Sequence, residues 1–140
     1  MNRELVIEKL NQALENEYAG VVRYSHYSLM IFGFNRIPIV GWFRAQSAES
    51  LAHAEAIGEK ITGLGGHPSL KVGGLLETHK HAVSEILKES LEHERAQIDL
   101  LNEALTLVDG DIYLEEFIRT MIMDETEHVN EIIKMLKSPQ

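Results

Sequence analysis

The sequence is constrained most by an irregularity repeated four times. Four long stretches, near 3–33, 38–64, 79–108 and 111–137, have helical periodicity, and a glutamate breaks the apolar seam of each near its middle. The first seam reads Ile7, Leu10, Leu14, Glu17, Val21, Tyr24, and the second Ile39, Trp42, Gln46, Glu49, His53, Ile57. The third reads Leu87, Leu91, Glu94, Ile98, Leu101, Leu105, and the fourth Leu114, Ile118, Met121, Glu125, His128, Ile132. In the second and fourth seams a histidine follows the glutamate by one turn. Burying an unpaired carboxylate costs several kcal/mol, and four at one level also repel one another. The pattern makes sense when cations sit between them. Mixed carboxylate and imidazole donors suit iron(II), and manganese or a mixed pair would use similar ligands.

The breaks between the stretches set their order in space. Gly33 to Pro38 is a short break, and so is Asp109-Gly110-Asp111, where Gly110 suits a helix end and Asp111 a helix cap. The middle break is longer, running from Gly63-Leu64-Gly65-Gly66-His67-Pro68 to Gly73-Gly74. A helix of about 27 residues spans roughly 40 Å. The segment from 65 to 78 reaches that far at roughly 3.3 Å per residue. The expectation is an all-α four-helix bundle in one domain, 1–140, with two helical hairpins joined by a long crossover.

Composition excludes several classes. Without cysteine there is no disulfide, thiolate zinc site or cysteine catalysis. A net charge of −9 argues against a nucleic-acid binder held by a basic patch and fits a protein that attracts cations. No apolar run approaches the roughly 20 residues of a membrane span, and Met1-Asn2-Arg3-Glu4 does not lead into a signal peptide. A cytoplasmic protein is expected.

Di-iron carboxylate bundles take one glutamate from each of two helices and a Glu-x-x-His from each of the other two. Here Glu17 and Glu94 are the lone carboxylates, and Glu125-Thr126-Glu127-His128 is a Glu-x-x-His. Glu17 to Glu49 is 49 − 17 = 32 residues and Glu94 to Glu125 is 125 − 94 = 31, so the hairpins form a chemical pseudo-repeat. One Glu-x-x-His among 18 glutamates and 7 histidines is no more than chance supplies. The specificity lies in four carboxylates falling in four seams in the right helix order.

At these residues the chain resembles bacterioferritin and, more broadly, the ferritin-like di-iron proteins. The resemblance covers all four helices. It is carried by Leu10-Asn11, Asn16-Glu17 and Tyr24; by His53-Ala54 ahead of Leu64, Gly66 and Pro68; by Glu94 ahead of Glu103-Ala104; and by Asp124 to His128. It implies a ferroxidase centre in which two Fe(II) ions are oxidised by O2 or H2O2, for iron storage or detoxification. It also implies a homo-oligomer. Carried over, Glu17, His53, Glu94, Glu125 and His128 are metal ligands, and Tyr24 is the tyrosine near the iron that supplies an electron. A core tyrosine bonded to a carboxylate is the plainer reading of Tyr24.

Three departures stand out. The family's second-helix glutamate, three residues before the histidine, is replaced by Ser50, and the glutamate is Glu49. We take Glu49 as a ligand, brought into the bridging place by a π-bulge. Otherwise Glu49 hydrogen-bonds His128, as Asp124 would His53. The haem-ligating methionine falls at Leu51, so no haem is expected. The sequence stops at Ser138-Pro139-Gln140, without the family's short fifth helix, which puts a 24-subunit cage in doubt. Gln46 is a candidate hydrogen-bond donor to the site. Met30, Met121, Met123 and Met135 are expected in the core, Glu92 and Glu127 in solvent, and His26, His67, His79, His81 and His93 at the surface or in loops. The alternatives are a rubrerythrin-like di-iron oxidase or peroxidase, against which Gln97 stands where a further carboxylate is usual, and a non-catalytic bundle.

Overall fold

The computed structural model describes residues 1–138, and the tail residues Pro139 and Gln140 lie outside the described residues. The described chain forms four helices and no strand: α1 (Arg3–Met30), α2 (Arg36–Gly63), α3 (Val83–Leu107) and α4 (Ile112–Leu136). Side-chain caps start two of them. Asn2 accepts from the Leu5 amide ahead of α1, and Asp111 from the Leu114 amide ahead of α4. α2 ends in a Schellman turn. Gly65 takes φ +82, its N–H donating to the Thr62 carbonyl while Gly66 donates to Ile61.

Helix ends differ from the sequence expectation where backbone chemistry intervenes. α1 stops at Met30, because Ile31 turns to the extended conformation. α2 starts at Arg36, so Pro38 sits in its first turn, where an amide hydrogen has no helical partner to lose. α3 starts at Val83 rather than near 79, because His79 lies at φ 58, off the right-handed helical path.

Contacts between helices fix the topology. Lys9 meets Glu103, Asn16 meets Gln97, Arg23 meets Glu89 and His81 meets Met30, so α1 and α3 run antiparallel. α1 packs on α2 and α3, and α3 on α4. The crossover lies against α1. The Asn11 side chain donates to the His67 carbonyl and accepts from the Ser69 amide, and the Gly73 amide donates to the Glu15 carbonyl at 2.8 Å. A Cβ on Gly73 would sit 2.9 Å from that oxygen, so the approach needs glycine.

The core divides into two apolar clusters. One gathers Leu10, Leu14, Ala54, Ile57, Leu101 and Ile118, and the other Tyr24, Tyr27, Phe43, Ile86, Leu87 and Ile132. Between them lies a polar layer holding Glu17, Glu94 and Glu125, each buried. Most of the expected seams are buried, but α2 is rotated slightly from its expected face. Val40, Phe43, Ser47, Ser50 and Ala54 are buried, whereas Ile39, Trp42, Glu49 and His53 are half-buried. Small residues at the centre of the face let α1 and α2 approach closely, with Ser47 Oγ donating to the Val21 carbonyl. Met123, expected in the core, is 56% exposed, because it lies two positions beyond Met121 on the solvent side of α4.

Candidate metal centre

Each helix delivers its polar residue to the same layer. Two triads result, Glu17 with His53 and Glu125, and Glu94 with Glu125 and His128. In each, the donor atoms lie within 4.8 Å of one another, and Glu125 belongs to both. Both imidazoles turn Nδ1 inward. His53 Nδ1 is 2.9 Å from Glu125 Oε1 and 3.6 Å from Glu17 Oε2, and His128 Nδ1 is 3.5 Å from Glu125 and 3.7 Å from Glu94.

The outer nitrogens meet a different pair of carboxylates. His128 Nε2 is 2.8 Å from Glu49, and His53 Nε2 is 3.3 Å from Asp124 and 3.6 Å from Glu49. Glu49, His53 and Asp124 form a third, less buried group toward solvent. α2 runs through this region as regular α-helix without the π-bulge considered above. Glu49 therefore lies on the solvent side of both imidazoles, where a hydrogen bond to the outer nitrogen orients the ring.

Electrostatics follow from crowding these groups in a buried layer. Burial raises Glu17 well above the usual carboxylate range and pushes Glu94 up to about 8, with Glu125 adding to both. Burial also acts on Glu125, but hydrogen bonds from Glu94, His128 and His53 outweigh it and hold Glu125 well below the usual range. For the two histidines burial works against the charged ring, yet the facing carboxylates win. His53, beside Glu125 and Glu17, is pushed up to about 10, and His128, beside Glu125 and Glu94, to about 11.

The donors fit divalent cations. Glu17 Oε2 and His128 Nδ1 are buried without a hydrogen-bond partner, and both face the inner space of the triads. Unpaired buried polar atoms are costly, and a cation satisfies both. The carboxylate and imidazole set matches iron(II) or manganese(II).

Tyr24 closes the inner side. Its hydroxyl donates to Glu94 Oε1 and lies 2.7 Å from Ser90 Oγ. Burial, then the Glu94 charge, raise its pKa well above that of a free tyrosine. Aromatic rings pack around it, with Phe43 at 5.9 Å, Tyr27 at 6.0 Å and Trp42 at 6.4 Å between centroids.

Other expected positions divide. Glu92 and Glu127 are exposed, as are His67, His79 and His81, while His26 is half-buried. His93, expected at the surface, is buried. It fills the α1–α3 contact, its Nδ1 lying 3.3 Å from Arg23 Nη1. Burial first, and the Arg23 charge second, hold it down to about 4. Arg23 also donates to the Tyr27 hydroxyl and the Glu89 carbonyl. Gln46 is buried, but its Oε1 has no partner, so it is not tied to the centre by that atom. Leu51 is 44% exposed. Ser90 was missed, although it lies one turn before Glu94 on the same seam.

A family model described as the ferritin-like domain matches residues 7–139. Similar proteins include the bacterioferritin of Desulfovibrio desulfuricans, 28% identical over 128 residues, covering 89% of this chain and 70% of that protein. Among solved structures, a ferritin-like, diiron-carboxylate protein of Bacillus anthracis superposes with a TM-score of 0.91 at 26% identity, covering 96% of this chain and 97% of that one. Rhodobacter capsulatus bacterioferritin, described with a metal-free dinuclear site and haem iron, superposes with a TM-score of 0.84 at 26% identity, covering 95% of this chain and 84% of that one.

Proposed function

The chain belongs to the ferritin-like domain family, and from that premise we propose that it is a di-iron ferroxidase of the bacterioferritin-like type. It binds two Fe(II) ions within the bundle, in the cytoplasm, and serves iron storage or detoxification. The observation that carries this reading is the pair of triads sharing Glu125. Two Fe(II) ions bound there are the substrate, each giving one electron to O2 or H2O2. Glu17 with His53, and Glu94 with His128, are the terminal ligands, and Glu125 joins the two positions. Imidazole Nδ1 atoms give up their protons when they become ligands.

Glu49 and Asp124 hold the outer nitrogens, which fixes the ring angles and raises imidazole basicity. Tyr24 donates to Glu94 and stands as the nearby electron donor. Leu51 offers no thioether to a haem. Exposed apolar side chains on α1 and the crossover, Val22, Leu29, Leu75 and Leu76, support assembly into a homo-oligomer.

The test is an anaerobic ferrous titration of metal-stripped protein, followed by air, for wild type and Glu125→Ala. Wild type should saturate near two irons per chain and oxidise them rapidly, and Glu125→Ala should lose both properties. Absence of specific binding in wild type sinks the reading.

A further inference from the structure

The two ends of the bundle differ in charge. At one end α1 turns into α2, α3 begins and α4 stops. Residues 29–44, 79–88 and 130–138 of that end carry six basic and two acidic side chains. At the other end, residues 1–10, 59–70 and 103–117 carry three basic and eight acidic ones. A chain of net charge −9 thus has a positive tip. The tip of one copy and the acidic end of another attract each other.

The tip also presents apolar side chains on a fixed turn. Phe34 is fully exposed, at 106%, and Phe32 and Ile37 are exposed beside it in sequence. Gly33 takes φ +94, and its carbonyl accepts from the Arg36 amide. The Arg36 guanidinium donates to the Ser28 and Ile31 carbonyls. The turn is therefore held in place before any partner arrives, which lowers the ordering cost of docking.

The acidic end offers matching recesses. Between the end of α2 and the start of α4 lies a half-open cavity of about 160 Å³, lined by Leu64, Tyr113 and Leu114 among Glu59, Lys60 and Asp111. Beside it a shallower, mostly apolar groove runs over Ile112, Tyr113 and Phe117, with Glu116 and Thr120 in its lining. Phe34 precedes α2, and Gly63 ends that 28-residue helix, so tip and groove lie about 40 Å apart. No copy can fill its own groove.

We propose that the Phe34 tip of one copy docks head to tail in the Tyr113 groove of a second copy, apolar against apolar and basic against acidic. The contact is heterologous, so it builds rings or filaments rather than closing as a symmetric pair. It is separate from the α1 and crossover face and does not depend on metal.

The chain has no cysteine, so introduced thiols report this contact alone. Asn35→Cys and Thr120→Cys, both at exposed positions, are mixed in metal-stripped form and oxidised with diamide. A disulfide between the two variants should form at least about tenfold faster than one within either variant alone. Phe34→Asp added to the first variant, or Glu116→Lys to the second, each checked for helicity by circular dichroism, should slow the mixed disulfide about tenfold, as expected for loss of an anchoring contact. A mixed disulfide no faster than the like-with-like ones, or one unaffected by Phe34→Asp, overturns the docking. Preferential joining of two Asn35→Cys chains means that tips meet tips, and overturns it as well. If the mixed disulfide fails to form while wild type floats with phosphatidylglycerol vesicles and Phe34→Asp does not, the tip meets lipid and the proposal falls. None of these outcomes bears on the two-metal reading.

Discussion

In the proposed centre Glu49 and Asp124 act at one remove from the ions, and that makes them testable residue by residue. Glu49→Gln and Asp124→Asn should each weaken metal binding about 10- to 100-fold while the stoichiometry stays at two per chain. A fall to one per chain in Glu49→Gln would make it a ligand instead. Tyr24→Phe removes a hydroxyl that Glu94 and Ser90 both contact. It should cost about 1–3 kcal/mol in denaturant unfolding of the metal-free protein, with two irons still bound. At this scale the sequence was readable wherever a charged residue interrupted an apolar seam, as at Glu17, Glu94 and Glu125. It was not readable at His93, which lies beside the seam glutamate and is drawn inside by packing against Arg23 from another helix. Nor does periodicity tell whether Glu49 or Ser50 faces the centre. That depends on how closely α1 and α2 approach, a tertiary property set by Gly20 and the serines of α2.

The helices themselves were legible because periodicity and caps agree. Asp111 is expected as a cap from its place after Gly110, and it accepts from the Leu114 amide. Asp111→Ala should destabilise the protein by about 1 kcal/mol, read as a lowered midpoint in urea with unchanged slope. The errors lie at ends where one backbone angle decides, as with His79 ahead of α3. The crossover was legible as a long connection but not in its attachment. Gly73→Ala would force a Cβ against the Glu15 carbonyl. It should cost about 1–3 kcal/mol and expose the crossover to limited proteolysis, where wild type resists.

At the scale of the molecule, the polar layer couples metal, protons and stability. His53 and His128 have folded-state values near 10 and 11 against an ordinary 6.5. Their contribution to stability is therefore complete below about pH 6.5 and is lost as pH rises through those values. Glu94, raised to about 8, acts in the same direction at lower pH. Glu125, held low, keeps its contribution across this window. The metal-free protein should accordingly melt at a lower temperature at pH 10 than at pH 6.5. At pH 7, metal binding should release at least the two imidazole protons, measurable by calorimetry in buffers of different ionisation enthalpy, and should tighten as pH rises. The partial exposure of Glu49 and Asp124 has a kinetic counterpart. Apolar clusters close the layer above and below, so in the proposed centre ions would arrive and depart between Glu49 and Asp124, its partly exposed carboxylates. Loading and release then share a transition state. A substitution that narrows this gap should lengthen both the filling time and the residence time of the cargo, with the equilibrium left where it was.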